Sequence, residues 1–188
     1  MLSETSKKNK IFKDTTTMTF RLDSNFLKKL YWKAEEDDIS LNTLVNQIIK
    51  RYVEWDMFES KTGMVPVSKP VVKDLFQRLS KEEVIEIATK IAKNAVYDAT
   101  LFMKGKVDQR SFMSWFLSRM KNCSEISSND DEDGNSTYIL KHDLGENWSL
   151  YHKIIVESIF SEVVQLPIYT SMTSSTLVIK FRNNRDHI

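Results

Sequence analysis

Thr17-Met18-Thr19-Phe20-Arg21-Leu22-Asp23 is the stretch on which the fold turns. Its alternation puts Met18, Phe20 and Leu22 on one side of an extended chain and Thr17, Thr19 and Arg21 on the other. A strand this short cannot stand alone. Its backbone N–H and C=O groups need a second strand, and its apolar face needs a layer beneath it. Two copies of the chain, paired strand to strand with their helices beneath, meet both needs. The other face of such a ribbon carries hydroxyls and guanidinium groups, a shape that fits the DNA major groove. The expectation is a DNA-binding homodimer, with a tetramer left open.

Two amphipathic helices should follow. Asp23 or Ser24 can cap the first, in which Phe26, Leu27, Leu30, Tyr31 and Ala34 keep helical spacing while Lys28, Lys29 and Lys33 lie elsewhere on its surface. Glu35-Glu36-Asp37-Asp38 crowds carboxylates at its carboxyl end, where the helix dipole disfavours them, and helps to stop it. Ser40 can cap the second helix. Leu41, Leu44, Val45, Ile48, Ile49, Tyr52 and Val53 then make seven apolar positions in thirteen residues, with Trp55 and Phe58 near the end. Exposure of such a stripe is an aggregation hazard, and a dimer interface would cover it.

Gly63 to Pro70, with Pro66 inside it, reads as a linker at 63–70. Beyond it Ser68 and Pro70 can open a helix carrying Val72, Leu75, Phe76 and Leu79. Ser80-Lys81-Glu82-Glu83 is a capping box for a longer helix that Gly105 closes, and Asp108 can cap another through Phe112, Trp115, Phe116 and Met120. Residues 124–136 are acidic and low in complexity and read as a mobile loop. A strand at 137–142, a helix at about 148–164 and a final hairpin near 166–171 and 176–182 complete the chain. The fold class expected is α+β. A flexible basic arm (1–14) and a strand–helix–helix unit (15–62) precede a domain at 71–183, whose helices cover a small antiparallel sheet.

The ordered combination of Thr17 to Asp23, a helix, a short acidic turn with Ile39, and Ser40-Leu41-Asn42-Thr43-Leu44-Val45-Asn46-Gln47-Ile48-Ile49 resembles the ribbon–helix–helix fold of Arc- and CopG-type repressors. About a quarter of the chain carries the resemblance. The Ser-Leu-Asn-Thr-Leu-Val-Asn-Gln segment and the Trp-containing end after it look most like archaeal members. The resemblance implies an intertwined dimer whose paired strands present Thr17, Thr19 and Arg21 to base edges. Arg21 would bond guanine, and the threonines would donate, accept or touch a thymine methyl. It also implies a DNA phosphate at the amino terminus of the second helix. Backbone N–H groups of Leu41 and Asn42 would hold it, with the Ser40 hydroxyl or the Asn42 amide nearby and Lys28 or Lys33 adding backbone contacts. Met18, Phe20, Leu22, Leu44, Val45, Ile48, Ile49 and Tyr52 would form the dimer core. One departure is Asp37-Asp38-Ile39, where many relatives have glycine, although Asp tolerates the left-handed conformation.

Charge distribution agrees with this reading. Net charge is +1, yet residues 1–34 carry +5, residues 35–62 carry −4 and the remainder sums to zero. No apolar run approaches the roughly 18 residues of a membrane helix. A polar amino terminus and the single Cys123 point to a reducing cytoplasm. His142 and His152 are too far apart and too poorly supported for a metal site, so no cofactor or metal is expected. No nucleophile elbow, phosphate loop or other catalytic constellation is visible, which sets enzymes aside. Trp115, Phe116, Trp148 and Tyr151 read as core, although an α+β unit after a DNA-binding module suits an unknown effector. The expected function is a sequence-specific transcriptional regulator, read as a repressor. An antitoxin-type regulator and a dimerisation scaffold whose second domain binds a partner or effector are the alternatives.

Overall fold

In the computed structural model, residues 15–183 are described, so the arm read at 1–14 lies outside them. The chain divides into two compact units, Met1–Ile49 and Lys50–Ile188.

In the first unit Asp23 caps helix α1 (Ser24–Glu36), its carboxylate accepting from the N–H of Asn25 at 2.7 Å. The helix ends in a Schellman motif: the Ile39 N–H donates to the Ala34 carbonyl at 2.9 Å and the Asp38 N–H to that of Glu35 at 3.2 Å. Asp38 takes the left-handed conformation (φ 52°) that a glycine would otherwise supply. Helix α2 (Leu41–Arg51) follows; its last two residues, a π-helical turn at Tyr52–Asp56 and the short α3 (Met57–Glu59) already belong to the second unit.

The strand expected at residues 17–22 is not formed. Residues 15–23 have no regular secondary structure, and Met18, Phe20 and Leu22 are exposed. A strand exists only through hydrogen bonds to a neighbour, and among the described residues of the single chain none pairs with this stretch.

The second unit is α+β. Helix α4 (Lys69–Arg78) precedes α5 (Lys81–Ile91), which runs through a π-helical turn into α6 (Tyr97–Lys104); α7 (Gln109–Met120) comes next. The capping box is complete: the Ser80 hydroxyl accepts from the Glu83 N–H at 3.1 Å and the Glu83 carboxylate from the Ser80 N–H at 2.7 Å. Gly105 closes α6 in the left-handed region and Asp108 caps α7. Strands β1 (Glu125–Asp130) and β2 (Asn135–Lys141), helix α8 (Glu146–Ile159) and strands β3 (Ile168–Met172) and β4 (Thr176–Arg182) follow. All strand pairs are antiparallel, in the order β1-β2-β4-β3.

The core lies between helices and sheet. Val84, Ala88, Ala92 and Val96 recur every four residues and are fully buried, so that α5 lies close against α8. Leu140, Leu177, Ile179 and Phe181 line the inner face of the sheet, where Phe181 meets Phe160 at 5.4 Å. Trp55 belongs to this core, 6.4 Å from Trp115. It packs inside the second unit, although its spacing continues the stripe of α2.

The stretch read as a mobile loop at 124–136 is instead the β1–β2 hairpin. Asp131 accepts from the Gly134 N–H at 3.1 Å through its carbonyl and from the Asn135 N–H at 2.8 Å through its carboxylate. Gly134 adopts φ 80°, which completes the three-residue connection Glu132-Asp133-Gly134. The acids that made the stretch look disordered include the residue that builds its turn. Lys180 on β4 pairs with Asp131 at 3.5 Å and partly compensates their charge.

Candidate functional site

The candidate nucleic-acid interface is built from the exposed stretch before α1 and the start of α2. Thr17, Thr19 and Arg21 are all exposed. Ser40 directs the amino terminus of α2: its hydroxyl accepts from the Thr43 N–H at 3.0 Å and its carbonyl from the Leu44 N–H at 3.0 Å. The N–H groups of Leu41 and Asn42 are then the two donors of that first turn that no bond within the helix can satisfy. The Asn42 side chain is partly committed, since the Asn46 amide donates to its oxygen at 3.3 Å and to its carbonyl at 2.8 Å.

The two candidate lysines differ. Lys28 is exposed and makes no ion pair among the described residues. Lys33 is tied to its own helix end, donating to Asp37 at 2.8 Å and to Glu36 at 2.9 Å. Those bonds, Asp37 first, hold its ammonium above the usual lysine range. Exposed pairs of this kind contribute little, so a phosphate could displace them at small cost.

The apolar residues read as a dimer core separate into two groups. Leu44 is buried and Val45 half-buried within the chain itself. Met18 (69% exposed), Phe20 (57%), Leu22 (52%), Ile48 (47%), Ile49 (47%) and Tyr52 (58%) are open. Among the described residues of this unit only Ala34 and Leu44 are buried apolar side chains, and large ones stay open to water.

His142 and His152 of the second unit are both buried. His142 accepts at Nδ1 from the Leu144 N–H at 3.2 Å, so its Nε2–H donates to the Ser149 hydroxyl at 2.9 Å. His152 is fully buried and donates from Nδ1 to the Trp148 carbonyl at 3.0 Å. Cys123 is half-buried, and burial pushes its thiol up. Among the described residues no helix is long and apolar enough to cross a membrane.

Sequence reasoning missed one feature here, a cavity in the second unit. Residues 63–69 form part of its wall, together with Trp55 and Arg119. The aromatic cluster was visible as spacing, but nothing local in the chain says that Trp55 joins it. No model of a protein family matches this chain, no curated protein matches its sequence, and no solved structure matches its fold.

Proposed function

We propose that the chain is a sequence-specific DNA-binding regulator, acting as a repressor, that inserts a two-stranded ribbon into the major groove as a homodimer. The observation that supports this reading is the exposed, strandless stretch at residues 15–23. It alternates Met18, Phe20 and Leu22 with Thr17, Thr19 and Arg21 and leads directly into a capped helix pair. Pairing with a second copy would give the backbone its hydrogen bonds, cover the apolar row and leave a polar row for base edges. The exposed Ile48, Ile49 and Tyr52 would pack beneath. The N–H groups at Leu41 and Asn42, with Ser40 and Lys28, would hold phosphates.

Selection from a random duplex pool, run with wild type and Arg21→Ala at one near-physiological salt concentration, tests the proposal. The expected result is a palindromic motif for the wild type that loses definition in the variant, since a bidentate arginine–guanine contact is worth about 1–3 kcal/mol. A motif unchanged by Arg21→Ala would remove the ribbon as the reader. No enrichment, with no duplex binding even at low salt, would leave a dimerisation scaffold or an antitoxin-type partner-binding protein as the better account.

A further inference from the structure

The second unit holds a cavity of about 950 Å³ whose lining plays no part in the DNA-binding reading. That volume falls in the range of small-molecule sites, about 300–1,000 Å³. Its walls include Trp55, Trp115, Trp148, Tyr151 and Phe76, and Phe76 meets Trp148 edge-on at 4.9 Å. An aromatic frame of this kind is often simple core. Here the polar groups around it are unbalanced.

Arg119 carries most of that imbalance. It is half-buried, its guanidinium lies 5.7 Å from the centre of the Trp115 ring, and it has no carboxylate partner among the described residues. The other cations on the wall are committed: Arg51 to Asp56 at 3.2 Å and to Asn122 at 3.1 Å, and Lys69 to Asp143 at 3.6 Å. A partly buried cation without a partner is disfavoured. The wall is therefore rich in aromatic faces and carries one half-buried guanidinium without a carboxylate partner among the described residues.

We infer that this cavity binds a small organic anion, its flat apolar body among Trp55, Trp115, Trp148 and Phe76 and its single acidic group on Arg119. One uncommitted guanidinium matches one carboxylate, sulfonate or phosphate monoester and would leave a polyphosphate undercompensated. Glu59, also on the wall, further disfavours multiply charged anions. The site lies within the second unit and does not depend on DNA binding.

Three of the chain's four tryptophans line the cavity, so energy transfer from tryptophan to a bound dye reports on it directly. The probes are 1-anilinonaphthalene-8-sulfonate and its uncharged counterpart N-phenyl-1-naphthylamine, titrated into the full chain. Wild type should bind the sulfonate at one site per chain. Arg119→Gln should weaken it at least tenfold, the scale of a charge-assisted hydrogen bond, and leave the neutral dye within twofold. Ala95 lines the cavity yet is exposed, so Ala95→Trp should occlude both dyes without disturbing the core. Unchanged thermal unfolding of both variants ties these effects to the cavity. Sulfonate binding indifferent to both substitutions, an equal loss of both dyes in Arg119→Gln, or no binding by wild type would each overturn the inference.

Discussion

His152 shows how burial sets the charge of a single side chain. Burial first, and the charge of Arg119 second, push its pKa down to about 3. In the unfolded chain the imidazole titrates near about 6.5, so between those values the unfolded state binds the extra proton. Its contribution is whole above the unfolded pKa and is lost as pH falls, by about 1.4 kcal/mol per pH unit. Burial lowers His142 in the same direction. Urea unfolding followed by tryptophan emission should show the second unit weakening from pH 6.5 to 5. His152→Leu should flatten that slope and leave only the part due to His142. A slope the substitution does not change would mean that His152 is charged in the fold. The alternation of residues 17–22 was legible at this scale, because a two-residue period is written locally. Arg119 was not, since its importance lies in the partners it lacks.

Among the elements, helices announce themselves through their ends. Asp23, the Ser80–Glu83 box, Gly105 and Asp108 all act where their spacing placed them, because caps involve neighbours three or four residues away. The β1–β2 hairpin did not, since runs of acid resemble solvated loop and only pairing with β4 gives β2 its burial. Gly134 is the local signal that marks its turn. An added Cβ there meets nothing within 4 Å, so its φ of 80° is the whole penalty of a substitution. Gly134→Ala should destabilise the second unit by about 1–2 kcal/mol in denaturant unfolding. A neutral result would show that the turn relaxes to another conformation.

At the scale of the whole molecule, the first unit exposes Phe20, Phe26, Trp32, Ile48 and Ile49, apolar surface of the kind that a partner covers. If the ribbon–helix–helix dimer proposed above is correct, sedimentation should find wild type as a dimer at micromolar concentration. Ile48→Asp should be monomeric, with the thermal unfolding of the second unit unchanged. Amides of Met18 to Leu22 should be protected from hydrogen exchange in wild type and lose that protection in the variant. A monomeric wild type, or a dimer that tolerates Ile48→Asp, would count against the dimer core.

By itself the sequence determined the helices, the caps at Asp23, Ser80, Gly105 and Asp108 (though Ser68 makes no side-chain cap bond), the final hairpin and the two-faced pattern of residues 17–22, all of which depend on side chains a few positions apart. Only the tertiary structure decided that Trp55 packs with Trp115, that residues 125–141 pair as a hairpin within a four-stranded sheet, and that Arg119 faces an aromatic cavity. Those outcomes depend on contacts between residues far apart in the chain, and spacing along the chain does not encode which distant surface a side chain will meet. Residues 17–22 stand between the two cases: their pattern is local, but the hydrogen bonds that would make them a strand are not supplied by any of the described residues.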